Sequence, residues 1–150
     1  RKHFQLDTRA ATAPNLPIED NSGDLFLSVE AAHNYHDDAL IAELQRCLKP
    51  GGVVLLADMH SGSDGFVRKK LESLYANNGL VIDQWRDIRP YVLESLVQDN
   101  DRKLKFMRYM VGPIKAEAQA YMGTVGSHKD NEMKRDERAY FILSARKPSL

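Results

Sequence analysis

Two short stretches of the sequence carry side chains that could support acid–base chemistry. The first contains Glu30 and His33, and the second contains Asp58, Met59 and His60. An imidazole can accept a proton from a reacting hydroxyl group near neutral pH, and a neighbouring carboxylate can orient that imidazole. These residue types therefore indicate general acid–base chemistry, provided that the fold brings the two stretches together.

Each stretch follows a predicted β-strand, and a predicted helix connects the two strands. Residues 24–30 have the apolar centre of a strand, and residues 37–48 repeat apolar side chains at the spacing of a helix with one buried face. Pro50 and Gly51 end that helix, and the unbroken apolar run at 53–57 predicts a strand covered on both faces. This βαβ order predicts that the two strand ends lie side by side.

The remaining sequence predicts further strands and a longer helical region. We predict strands at 3–7, 80–88 and 139–145 and a helix at 63–78. Residues 91–122 are predicted to be mainly helical, broken by the polar residues 99–103 and by Gly112-Pro113. We expect residues 89–122 to form a helical substrate lid.

Composition narrows the classes of partner. The 21 Lys and Arg residues balance 21 Asp and Glu residues, which argues against binding to nucleic acid or to an anionic membrane. The single cysteine, Cys47, excludes an intrachain disulfide bond, indicates a reducing compartment and is expected to pack in the core. No apolar run reaches the roughly 20 residues of a membrane span, and no signal-peptide pattern is present. We expect a soluble, cytoplasmic protein that binds a small molecule or another protein.

One basic run stands out against this balance. Lys103, Lys105 and Arg108 lie close together in the predicted lid. We interpret them as a solvated helix face, with attraction of an acidic substrate or partner as the alternative.

The sequence from Leu16 to Asp58 resembles part of the class I S-adenosylmethionine-dependent methyltransferases of the small-molecule type. The residues that carry the resemblance are LPIEDNSGDLFLSVEAAHNY followed by LQRCLKPGGVVLLAD, and ANNGLV at 76–81 resembles the step into the family's sixth strand. The resemblance implies the carboxyl-terminal half of a Rossmann-like α/β sheet, with parallel strands, an antiparallel edge and an inserted helical lid. It also implies methyl transfer from S-adenosylmethionine to a natural-product, sterol or other lipid-like acceptor, with O-methylation expected.

The sequence departs from this family in the cofactor-binding part. The family uses a Gly-rich loop after its first strand and an acidic residue after its second, and neither is present; the run from Gly62 to Gly65 lacks the tight Gly-x-Gly turn. A central parallel strand also needs pairing and cover on both sides. We therefore expect one domain at 1–150 that is incomplete on its N-terminal side and is active only with a second polypeptide or chain segment.

The resemblance implies that His33 is the base, since related methyltransferases often place a histidine just after the fourth strand. Asp58 and His60 follow the neighbouring strand, from which they could orient His33 or contact substrate. The alternatives are that His33 only hydrogen-bonds its own loop and that Asp58 only caps the loop after its strand.

The resemblance also implies cofactor and substrate contacts. Expected cofactor contacts are Asp7 with Thr8, or Ala11 in their place, and the backbone of Ser28, Val29 and Glu30. Expected substrate contacts are Tyr35, Met59 and Tyr91, although Tyr35 could simply pack in the core. No metal is expected, although His33, His36 and Asp37 have a spacing that could hold one.

Two other classes remain open. A non-catalytic methyltransferase-like subunit could stabilise or regulate an active enzyme. A nicotinamide-dependent dehydrogenase fragment would share the fold, but its Gly-rich fingerprint and Tyr-x-x-x-Lys pair are absent.

Overall fold

A computed structural model describes residues 8–34 and 37–149, and the predicted strand at 3–7 lies outside these ranges. In chain order the elements are β1 (Gly23–Val29), a 3₁₀ turn (Ala32–Asn34), α1 (Asp37–Cys47), β2 (Leu48–Ser61), α2 (Asp64–Asn77), β3 (Val81–Asp87), α3 (Arg89–Phe106), a second 3₁₀ turn (Met107–Tyr109), α4 (Gly112–Met122), α5 (His128–Lys134) and β4 (Arg138–Arg146). None of the described helices is both long and apolar enough to span a membrane.

The four described strands form one mixed sheet in the order β1-β2-β4-β3. β1 and β2 are parallel, and β4 runs antiparallel to both of its neighbours. The predicted α/β sheet with parallel and antiparallel strands is therefore confirmed. One detail differs: the antiparallel strand lies inside the described sheet rather than at its edge, because β4 hydrogen-bonds to β2 on one side and to β3 on the other.

The predicted βαβ unit is present and places the two strand ends side by side. α1 buries Leu40, Ile41 and Leu44 at helical spacing against the sheet. β2 pairs in register with β1, so that Val29 lies opposite Ala57. The residues that follow β1 therefore lie beside the end of β2.

The sheet has one covered face and one open face. On the covered face, the core residues Val54, Leu56, Phe141 and Leu143 pack against α1 and α2. The opposite side of β1 and β2 exposes apolar side chains, namely Leu25, Leu27, Val29 and Leu55. The prediction that β2 is covered on both faces is therefore wrong for the middle of the strand in the described part of the chain, because Leu55 is 37% exposed on the side opposite α1 and α2. The end of β2 at Met59 faces the helices that follow β3.

Three helices precede β4, and α3 and α4 fall within residues 89–122, for which we expected a lid. α3 continues through residues 99–103, where we predicted a break, because Asp99 forms ion pairs with Arg102 and Lys103 at helical spacing. α4 begins at Gly112-Pro113, as expected for proline in a first turn, and ends at Gly123. α5 is a short helix in a region where the sequence predicted no element.

Candidate functional site

The carboxyl ends of β1 and β2 bring His33 and Asp58 into direct contact. His33 Nδ1 lies 2.5 Å from Asp58 Oδ1, and the His33 backbone N–H donates to Asp58 Oδ2 at 3.0 Å. The Met59 backbone N–H donates to Asp58 Oδ1 at 2.8 Å. Asp58 is 2% exposed and His33 is 26% exposed. A buried carboxylate with three donors thus fixes the position of a partly exposed imidazole.

This arrangement selects one form of the histidine. Because Asp58 Oδ1 can only accept a hydrogen bond when ionised, Nδ1 of His33 carries the proton. In the neutral imidazole, Nε2 is then the nitrogen that accepts a proton. The pair therefore has the groups that a general base and its orienting carboxylate require.

A small cavity of about 20 Å³ lies against this pair on the covered face of the sheet. His33, Asp58 and His60 line it, and the rest of its wall is apolar or aromatic. Asp58 and His60 share this face because they are two residues apart on β2. The volume accommodates about one water molecule, so it is too small for an acceptor.

The end of β1 presents the residues that the resemblance assigned to the cofactor. Ser28 is partly buried, whereas Val29 and Glu30 are exposed. The Glu30 N–H continues the strand pairing by donating to the carbonyl of Ala57 at 2.8 Å, but the φ of Glu30 is 51°. Glutamate rarely adopts this left-handed conformation, and such strain clusters at functional sites.

A larger cavity of about 210 Å³ lies between the open side of the strand ends and the lid helices. Its apolar lining consists mainly of Met59, Val92, Leu96, Met122, Met133 and Tyr140. We call this space the lid cavity. Methionine side chains adapt to irregular apolar ligands, so the lining suits a hydrophobic small molecule.

Three charged residues also border the lid cavity. Arg138 is bound by Glu132 through Nε at 2.8 Å and contacts Met59 Sδ through Nη1 at 3.7 Å. Lys129 Nζ lies 5.6 Å from the centre of the Tyr121 ring, and Glu30 lies on the β1 side. The lid cavity therefore combines an apolar lining with polar groups that could orient an acceptor.

The other predicted site residues are placed as follows. Thr8 is exposed, before β1. Tyr91 is exposed in the first turn of α3 with Arg86 over its ring, and it does not line the lid cavity. Asp7, Tyr35 and His36 lie outside the described residues.

Sequence reasoning missed the contribution of α5 to the lid cavity. Lys129 and Met133 come from this seven-residue helix, which is too short to show apolar periodicity. Ser127 followed by Asp130 has the spacing of a helix cap, and Ser127 Oγ accepts from the Asp130 N–H at 3.4 Å. This capping pattern is the sequence feature from which α5 could have been predicted.

Cys47 does not belong to the site. It is buried on α1 among core residues, and burial raises the pKa of its thiol. A raised pKa leaves little thiolate at neutral pH, so the prediction of core packing is confirmed.

The sequence comparisons match this chain to proteins described as methyltransferases. Residues 1–56 match the family described as "Methyltransferase domain". The phthiotriol/phenolphthiotriol dimycocerosates methyltransferase of Mycobacterium leprae is 27% identical over 135 residues, which cover 88% of this chain and 48% of that protein. Methyltransferase 1 of the same description from Mycobacterium ulcerans is 43% identical over 60 residues, which cover 39% of this chain and 22% of that protein. The chain thus spans less than half the length of either relative.

Solved structures share the fold. A phosphoethanolamine N-methyltransferase 2 of Haemonchus contortus, in complex with phosphomonomethylethanolamine and S-adenosylhomocysteine, aligns with a TM-score of 0.69 and 21% identity over 88% of this chain and 35% of that one. The O-methyltransferase from a trans-AT PKS multienzyme of Brevibacillus brevis, in complex with S-adenosyl-L-homocysteine, aligns with a TM-score of 0.64 and 19% identity over 87% of this chain and 46% of that one. In part of its sequence and in its fold, this chain is similar to S-adenosylmethionine-dependent methyltransferases.

Proposed function

We propose that this protein transfers the methyl group of S-adenosylmethionine to an oxygen atom of a natural-product, sterol or other lipid-like acceptor. The observation that carries the proposal is the His33–Asp58 pair at the carboxyl ends of β1 and β2, since parallel α/β sheets hold their ligands at this edge. The cofactor supplies an electrophilic methyl group, and the protein positions the acceptor in line with it.

In this proposal His33 removes the proton of the acceptor hydroxyl. As the new oxygen–carbon bond forms and the carbon–sulfur bond breaks, the hydroxyl proton moves to His33 Nε2. Asp58 holds Nδ1 at 2.5 Å and stabilises the imidazolium that results.

We propose that the lid cavity holds the apolar part of the acceptor. The acceptor hydroxyl would then reach past the carboxyl ends of β1 and β2 to His33, which lines the small cavity and not the lid cavity. The volume of the lid cavity, about 210 Å³, and its methionine-rich lining suit an apolar group. Of the two predicted substrate contacts that the structure describes, Met59 lines it and Tyr91 does not, and Glu30 adds a carboxylate on the β1 side. Tyr91 and Tyr35 remain predictions as substrate contacts.

The open face of the sheet supports the proposal that a second polypeptide or chain segment completes the enzyme. Leu25, Leu27 and Val29 expose a continuous apolar row, and β1 has an unpaired edge among the described strands. Exposed apolar faces and unpaired strand edges are typical of surfaces that another segment covers. Val29 and Glu30 are exposed at the end of β1, where they would form one side of the cofactor site. The completing segment would supply the Gly-rich loop.

A cofactor titration by native mass spectrometry tests this assembly. We expect S-adenosylmethionine to bind the complete protein, whether that is one longer chain or two, and to bind residues 1–150 alone at least tenfold more weakly. Cofactor binding of equal strength to the 150-residue chain would contradict the need for a completing segment.

Replacement of His33 by Ala in the complete protein tests the chemistry. We expect kcat to fall by about 10²- to 10⁴-fold, the usual contribution of a general base. The Kd for S-adenosylmethionine should change little, because the proposed role lies in proton transfer. Unchanged turnover would contradict the assignment of His33.

The alternative is a methyltransferase-like subunit without catalysis that stabilises an active partner. The same open face supports it, because that face would bind the partner whichever chain is active. The two proposals differ in one measurement: His33→Ala should leave the activity of such a complex unchanged. For either function we propose a reducing, cytoplasmic setting, with which the single buried thiol of Cys47 is compatible.

A further inference from the structure

The segment that joins α3 to α4 concentrates exposed apolar side chains. Phe106, Tyr109, Val111 and Ile114 are between 64% and 80% exposed. Between them Met107 is fully buried, so the backbone is anchored while its neighbours point outward. No residue of α4 is buried. This segment therefore presents apolar surface even though it is fixed to the fold.

The same segment concentrates positive charge. Residues 102–116 contain five Lys and Arg residues and no Asp or Glu. Arg102 and Lys103 pair with Asp99. Within the part of the chain that the structure describes, Lys105, Arg108 and Lys115 have no acidic partner, and Arg108 lies 4.7 Å from the centre of the Tyr109 ring. We call residues 105–115 the basic–aromatic segment.

We infer that the basic–aromatic segment binds the surface of an anionic lipid membrane. Peripheral attachment of this kind combines apolar and aromatic side chains that enter the headgroup region with Lys and Arg that contact acidic lipids. Tyrosine suits this boundary because its ring is apolar and its hydroxyl is polar. Charge complementarity favours an acidic membrane over a neutral one.

The balanced charge of the whole chain does not conflict with this inference. Charges act on a membrane only within about a Debye length, which is roughly 10 Å at moderate salt. Residues 99–117 contain five Lys and Arg residues and three acidic residues, so a local positive excess remains when the flanking acids are counted. An acidic membrane would attract this local excess, to which Lys105, Arg108 and Lys115 contribute without an acidic partner among the described residues.

The position of the basic–aromatic segment relates membrane contact to the lid cavity. α4 begins in the basic–aromatic segment and ends at Tyr121 and Met122, which line the lid cavity. A membrane-bound segment would hold the cavity near the bilayer from which a lipid-like acceptor must be taken. This purpose depends on the proposed function, whereas the membrane contact itself does not.

Cosedimentation with vesicles tests the inference without cofactor or acceptor. The complete protein is mixed with phosphatidylcholine vesicles that contain or lack phosphatidylglycerol. We expect binding only to the acidic vesicles, and weaker binding as salt rises. Because no turnover is measured, a protein without methyltransferase activity can still bind.

Three variants and a matched control locate the contact. Lys105→Gln and Arg108→Gln should each weaken partition into acidic vesicles about fivefold, as expected for one basic residue at a membrane surface. Val111→Ser should also weaken binding to acidic vesicles. Val97→Ser changes an exposed valine on α3, outside the basic–aromatic segment, and should leave binding unchanged. Absence of binding to acidic vesicles, which is the result if another protein segment covers this surface, overturns the inference. Equal effects of the two valine changes overturn it as well.

Discussion

Asp58 is the residue on which the proposed chemistry most depends after His33. Its carboxylate accepts from the His33 side chain, the His33 backbone and the Met59 backbone, so it fixes both the position and the protonated nitrogen of the imidazole. It is a positioning residue, because its proposed effect on the acceptor passes through His33.

Replacement of Asp58 by Asn should lower kcat by about 100-fold, because the amide favours the wrong tautomer of His33. The limb of the pH–rate profile that reports the base should shift, which a loss of structure alone would not produce. Asp24→Asn, at an exposed carboxylate paired with Lys49, is the matched control and should keep full activity. An unaltered pH profile in Asp58→Asn would contradict the positioning role.

Asp130 illustrates a buried charge that serves stability. It is fully buried on α5. Burial alone would raise the pKa of its carboxyl group, but hydrogen bonds from Lys134 Nζ and the Gly126 N–H outweigh burial and lower the pKa below its usual value. Its other oxygen, Oδ1, has no hydrogen-bond partner among the described residues. The ionised carboxylate therefore stabilises the fold at neutral pH.

Asp130→Asn should lower the free energy of unfolding by about 1–3 kcal/mol at pH 7. Because the folded-state pKa is lowered, this stabilisation exists above the unfolded pKa and is lost as the pH falls through the folded pKa. The difference between the variant and the parent protein should therefore shrink in acid, as measured by urea denaturation at several pH values. Asp101→Asn, at an exposed carboxylate, should show no such difference at any pH.

The residues at the strand ends could be predicted because strand ends follow from local patterns. Glu30, His33 and Asp58 stand just after apolar runs, and parallel pairing brings such positions together. Lys129 and Met133 could not be found in this way, since their position in the lid cavity depends on how α5 packs on other elements. Tyr91 has the right residue type, but it is not among the residues that line that cavity.

Among the elements, the start of β2 depends on a glycine for close packing. A Cβ atom at Gly52 would lie 2.9 Å from the Lys49 carbonyl oxygen, 3.0 Å from the Gly23 carbonyl oxygen and 3.0 Å from Leu48 Cδ2. Backbone oxygens cannot move aside as a flexible side chain can. The first paired residues of β1 and β2 therefore require glycine at this position.

Gly52→Ala should lower the free energy of unfolding by about 1–3 kcal/mol through overpacking. Gly65→Ala is the matched control, because a Cβ atom there meets nothing within 4 Å and the residue lies in the first turn of α2. That change should be neutral or stabilise the protein by up to about 1 kcal/mol, since alanine favours helix. Chemical denaturation of both variants measures the contrast, and equal losses would contradict the steric explanation.

Periodicity predicted well whether an element is a helix or a strand. It predicted less well where each element begins and ends. The helix at 37–48 and the strand at 80–88 were predicted within a residue or two because their apolar spacing is regular. The break predicted in α3 was wrong, because ion pairs at helical spacing make a polar stretch compatible with a helix. α5 was not predicted because a helix of about two turns has too few apolar residues to show a regular spacing.

At the scale of the whole molecule, the open face of the sheet is the main unexplained surface. The sequence predicted that β2 is covered on both faces, since its apolar run has no alternation. The structure leaves the side chains of Leu25, Leu27, Val29 and Leu55 exposed, and the proposed completing segment would cover them. The sequence could not reveal this, because burial depends on neighbours that lie outside the run.

Val29→Ser tests whether that layer exists in the complete protein. If another segment covers Val29, the change should lower the free energy of unfolding by about 1–2 kcal/mol, as for a buried apolar side chain. Val97→Ser is matched in residue type and in exposure, which is 61% against 62% for Val29, and should change stability by less than about 0.5 kcal/mol. Thermal denaturation without cofactor measures both, and two equally small effects would mean that the face stays open.

The place of β4 has a consequence for synthesis on the ribosome. β4 joins β2 to β3, yet residues 138–146 are translated after both of those strands. A nascent chain that has reached α5 therefore holds β3 without a partner among the described strands and lacks Phe141 and Leu143 in its core. Cooperative folding of the sheet must wait for the last strand, and the emerging chain needs protection from aggregation until then.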